Sequence, residues 1–80
     1  MKKVFEVNHQ GDHILVENYW INGEKLYVNG ELQDENLGLA IRGDLEGKLE
    51  DSSRIKVTIG GFLTINCKIF LENRLIFSSI

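Results

Sequence analysis

Two Asn-Gly pairs seven residues apart, Asn22-Gly23 and Asn29-Gly30, constrain this chain more than any other feature. They lie in the stretch WINGEKLYVNGELQ, residues 20–33. A two-residue type I′ hairpin turn needs positive φ at both central positions, and Asn and Gly tolerate it best. Leu26-Tyr27-Val28 runs into the second pair and Glu31-Leu32 alternates out of it. An apolar run entering Asn-Gly is the strongest short-range hairpin signal a sequence offers. Two in succession predict a three-stranded meander, and with it an all-β fold.

The rest of the chain extends the pattern. Lys2 to Val7 alternates, with Phe5 and Val7 on one face and Val4 on the other, which predicts a short first strand. Asn8 to Asp12 has the composition of a turn. His13 to Ile21 predicts a longer strand with large apolar groups on both faces, and therefore a central one. Glu24–Val28 and a strand from Glu31 complete the meander.

Residues 34–51 admit two readings. Leu37, Ile41, Leu45 and Leu49 recur every four residues, as on a helix, whereas Leu37, Leu39 and Ile41 alternate, as on a strand. Gly38, Gly43 and Gly47 favour the strand, because each glycine inside a helix costs about 1 kcal/mol relative to alanine. The expectation is a strand over Asn36–Arg42, a turn at Gly43-Asp44, and a short strand over Leu45–Leu49, with a helical turn as the alternative. Arg54 to Ile59, Phe62 to Leu71 and Arg74 to Phe77 follow as strands, with a hairpin turn or a bulge at Gly60-Gly61 and a turn at Glu72-Asn73. About eight to nine short strands built from hairpins predict a small antiparallel β-sandwich, or a partly closed barrel, as one domain over residues 1–80.

Charge narrows the partners. The net charge is −3, with a local −5 over residues 31–51 and +3 over residues 52–80. An acidic total disfavours nucleic acid, whose binding rests on phosphate neutralisation. No run has the length of a membrane span, and the residues after Met1-Lys2-Lys3 are interrupted by Glu6, Asn8, His9 and Gln10 where a signal peptide needs apolar ones. Cys67 is the sole cysteine, which fits a reducing compartment, so a cytoplasmic location is expected.

Few residues suggest chemistry. His9, Asp12 and His13 could ligate zinc or copper, but a site needs three or four ligands and the sequence implies no fourth, so exposed turn residues and no metal are expected. Cys67 sits within an alternating apolar face and reads as a core side chain. The adjacent carboxylates Asp34/Glu35 and Glu50/Asp51 point to opposite faces if they lie on strands, which spoils acid–base geometry. Tyr19 and Tyr27 are the candidate contact residues: with Trp20 packed inside, Tyr19 faces outward and Tyr27 neighbours it across the hairpin. Exposed tyrosines anchor sugars and peptides, although ordinary cross-strand packing is the favoured account of them.

The strings HILVEN from His13, KLYVNGE from Lys25, IKVTIGGF from Ile55 and ENRLI from Glu72 give an order of elements that resembles a domain of Fas apoptosis inhibitory molecule. The resemblance spans Asp12 to Ile76, with Asn29 where that family has an acidic turn residue and with the last strands arranged differently. It implies a compact antiparallel sandwich without a catalytic site, acting through protein contacts. The expected function is thus non-enzymatic and cofactor-free: a protein-interaction or self-association module, with homodimerisation through the C-terminal or N-terminal edge strand, the apolar end Leu75-Ile76-Phe77 with Ile80 beyond it being the reason. A carrier of a carbohydrate or apolar ligand near Tyr19 and Tyr27 is the alternative.

Overall fold

The computed structural model describes residues 2–19, 23–37, 43–61 and 64–80. They form eight strands: β1 (Lys3–His9), β2 (Asp12–Asn18), β3 (Glu24–Val28), β4 (Glu31–Asn36), β5 (Gly43–Lys48), β6 (Arg54–Gly60), β7 (Asn66–Leu71) and β8 (Arg74–Ser78). Among the described residues there is no helix. The strands make two four-stranded antiparallel sheets, each in sequence order, β1-β2-β3-β4 and β5-β6-β7-β8. β2 lies inside its sheet, as its two apolar faces imply.

Three hairpins close through two-residue turns with positive φ at both positions: Gln10-Gly11 (+50°, +88°), Asn29-Gly30 (+51°, +83°) and Glu72-Asn73 (+48°, +66°). These are type I′ values, whose twist matches that of the flanking strands. At Asn29 the side chain adds a reason for the turn. Its Oδ1 accepts the His13 N–H at 2.8 Å, and its Nδ2 donates to Asp12 at 3.0 Å.

The other Asn-Gly pair behaves differently. β2 ends at Asn18, which pairs with Glu24, so the connection spans residues 19–23 instead of two. Tyr19 N–H donates to Gly23 O within it, and residues 20–22, Trp20 and Asn22 among them, lie outside the described residues. Gly23 has φ +104°, and a Cβ there would overlap the Asn36 carbonyl. Close backbone approach, not a tight hairpin, requires this glycine.

Within residues 34–51 the short strand expected over Leu45–Leu49 is present as β5, but what precedes it departs from expectation. Asn36 ends β4, and residues 38–42 lie outside the described residues. Gly43-Asp44 is no turn; it opens β5, paired with Ile59 and Thr58. The strand expected from Phe62 begins at Asn66, with residues 62–63 outside the described residues.

Alternation sends one side of each sheet into a single apolar cluster. Phe5, Ile14, Val16, Leu26 and Val28 come from the first sheet, and Leu45, Ile55, Val57, Ile59, Cys67 and Ile69 from the second. Each large apolar side chain so buried contributes about 1.5–3 kcal/mol relative to exposure.

The two sheets also meet along β4 and β5, through side chains. Asp34 accepts the Glu46 N–H at 2.9 Å, Gln33 accepts the Lys48 N–H at 3.2 Å, and Asn36 Nδ2 donates to Asp44 O at 3.1 Å. Gln33 is the extra residue of a bulge: Tyr27 pairs with Leu32 and Leu26 with Asp34. A bulge re-aims a side chain, here toward β5. Gly47 leaves room for it, since a Cβ there would stand 2.9 Å from Gln33 Cβ.

Candidate interaction surface

Residues on the outward side of the first sheet follow from the same alternation. Glu6, Leu15, Tyr27 and Leu32 are consecutive partners across β1 to β4, and Val4, Glu17, Lys25 and Glu35 form the adjacent row. Leu32 and Val4 are 49% and 46% exposed, and Leu15 and Tyr27 are half-buried. An apolar row therefore crosses the middle of this face, bordered by charge.

The two candidate tyrosines share the face but are not cross-strand neighbours. The residue opposite Tyr27 is Leu15, and Tyr19 lies past the last pair of β2 and β3. Their surroundings differ. The Tyr19 hydroxyl donates to Glu17 at 2.9 Å. Lys2 and Lys25 place their ammonium groups 5.7 and 5.9 Å from the Tyr19 ring centroid. Lys2 also pairs with Glu17 at 3.6 Å. The hydrogen bond to Glu17 raises the Tyr19 pKa above its usual value, with burial and the Glu17 charge adding to it. Tyr19 is thus engaged by its own chain, through cation–π and hydrogen-bond contacts. Tyr27 stands between Leu15 and Leu32, so its ring extends an apolar surface.

The outward side of the second sheet has another character. Asp44, Thr58, Lys68 and Ser78 form one row, and Glu46, Lys56, Phe70 and Leu75 the next. Opposite charges alternate across it, and its apolar pair Phe70–Leu75 lies at the β8 edge.

The remaining candidates separate. His13 shares the outward face with Glu6, whose carboxylate its ring contacts. His9 and Asp12 flank the first turn as a pair, and Asp12 accepts from Asn29. Successive residues of a strand face opposite ways, so Asp12 and His13 cannot converge on one ion. Among the described residues no group of three or more His, Cys, Asp or Glu side chains is placed to hold a metal. Cys67 is fully buried, and burial, helped by the Glu24 charge, pushes its thiol up to about 12. A thiol so held is a poor nucleophile. Asp34 is committed to Glu46 N–H and Glu35 N–H. Asp51 accepts from Ser53 N–H at 2.9 Å, and Ser53 lowers its pKa.

The sequence reading missed a buried polar group. Glu24 is 1% exposed and Asn18 fully buried. Glu24 accepts from Asn36 Nδ2 at 2.9 Å and from Asn18 Nδ2 at 3.4 Å. A Cβ on Gly43 would overlap the Glu24 carboxylate. The available signal was parity, since Glu24 falls in phase with Leu26 and Val28 and Asn18 with Ile14 and Val16.

Among the described residues no helix is long and apolar enough to cross a membrane. The chain matches no protein-family model, no curated protein and no solved structure.

Proposed function

We propose that this chain is a non-catalytic, cytoplasmic binding module: an antiparallel β-sandwich, joined along its β4/β5 side, that offers the outward face of its first sheet to a protein partner. The observation that carries this reading is the apolar row Leu15–Tyr27–Leu32, with Val4 beside it, set against the interleaved charges of the second sheet. Contiguous apolar surface rimmed by charge, with an aromatic at its centre, has the make-up of a protein contact. Tyr27 would be the anchor and Tyr19 a rim residue held by Lys2, Lys25 and Glu17. The resemblance to the Fas apoptosis inhibitory molecule domain points the same way.

The test is affinity purification of the tagged chain from its native extract, compared with two charge variants. A protein retained by the unaltered chain should be lost with Leu32→Lys and kept with Lys56→Glu on the second sheet. Tyr27→Ala should weaken retention at least 10-fold while circular dichroism stays unchanged; loss of a central aromatic anchor costs about 2 kcal/mol or more. Equal retention by Leu32→Lys and Lys56→Glu would overturn the reading. So would a small-molecule mass carried by the purified chain and lost with Tyr27→Ala, which would instead support a ligand carrier.

A further inference from the structure

Each sheet ends in two edge strands, and the four edges are not equivalent. β5 has its outward N–H groups at Glu46 and Lys48 already taken by Asp34 and Gln33. β4 carries Glu31, Asp34 and Glu35, and two copies laid side by side would oppose like charges. β1 has Glu6 at its centre, so a two-fold pair of β1 strands would set Glu6 against Glu6. Its Lys3 ammonium is also engaged, donating to Thr64 Oγ1 at 3.0 Å and Ile65 O at 2.8 Å. Charges on an edge are a common defence against pairing.

β8 lacks that defence. After Arg74 it reads Leu75-Ile76-Phe77-Ser78, and Ser79 and Ile80 add no charged side chain. Leu75 is 49% and Ile80 79% exposed. Among the described residues no strand pairs with its outer side. Antiparallel pairing about a two-fold axis needs only one such edge and gives a closed, self-complementary contact. It would also place the two Arg74 side chains at opposite ends of the paired segment, roughly 14 Å apart at 3.4 Å per residue. That exceeds the Debye length of about 8 Å at physiological salt.

We propose that two copies of this chain associate through antiparallel β8–β8 pairing, which joins their second sheets edge to edge. This surface is separate from the first-sheet face, and the inference stands without that reading. The bulge at Ile69/Phe70, where β8 has one residue more than β7, limits the contact. A bulge twists an edge away from long flat pairing, so the product is a dimer and the charged β1 edge does not propagate it.

The test is sedimentation equilibrium on the untagged chain together with hydrogen exchange across a concentration series. The expected result is a reversible dimer at roughly tens of micromolar, weak as suits an interface smaller than the usual 1,200 Å² or more. Amides of β8 should gain protection as concentration rises while those of β1 do not. Leu75→Lys, which brings a charge into the paired segment at an already exposed position, should weaken association at least 10-fold. Leu32→Lys should leave it unchanged. A chain monomeric throughout the series overturns the proposal. So does protection that rises on the first sheet and not on β8, or a dimer abolished by Leu32→Lys. Exchange on the unaltered chain keeps the test decisive if Leu75→Lys fails to fold.

Discussion

Cys67 shows how one buried atom sets a pH limit. Its thiol is held neutral up to about 12, against an ordinary value of 9.0. Between those values the folded chain keeps a proton that the unfolded chain has released. The stabilisation is complete below the unfolded value and declines as pH rises through 9 toward 12, by at most about 1.4 kcal/mol per unit. Urea midpoints should therefore fall between pH 9 and 11, and Cys67→Ala should flatten that limb at a small cost near neutrality. The burial itself was legible, since Cys67 lies in phase with Ile65 and Ile69. Glu24 was legible by the same logic, yet a carboxylate rarely occupies a core position unless paired, and its amide partners Asn18 and Asn36 lie on other strands. The surroundings of Tyr19 were not legible for a related reason: the cations beside its ring come from Lys2 and Lys25, which only the three-dimensional arrangement brings together.

Among the elements, β3 and the start of β4 could be read directly because a local rule fixes them: an alternating strand, then Asn-Gly at positive φ. β6 and β7 were legible through their β-branched and apolar alternation. β4 offers no such pattern, because ELQDEN turns polar side chains toward the backbone of β5 where another strand would show apolar ones. The glycines of β5 could suggest a break for the same reason. Gly43 and Gly47 make room for Glu24 and Gln33, partners that no sequence window contains. The seam makes its own prediction. Asp34→Ala removes the acceptor of Glu46 N–H and should cost about 1–3 kcal/mol in urea unfolding. It should also speed amide exchange at Glu46 more than at Val57, in the interior of the sheet. Uniform acceleration across the second sheet would show that the seam does not act locally.

At the scale of the molecule, every hydrogen-bonded strand pair among the described residues joins neighbours in sequence, and these strands pass from one sheet to the other once, between β4 and β5. Each half can therefore form its ladder without the other, yet leaves one apolar side uncovered until they meet. Four strands from about 37 residues bury too little alone to outweigh the entropy of ordering them. Cutting the chain between Leu37 and Gly43 should give two fragments that are largely unstructured apart and regain strand circular dichroism when mixed. Fragments that each fold alone would refute the shared core. The single crossing also bears on how the chain gets made. As it leaves a ribosome, the leading meander is complete while the trailing one is still unsynthesised, and its sticky side waits for the remaining residues. A pause in translation just after β4 would prolong that interval, so synthesis speed there becomes a determinant of yield.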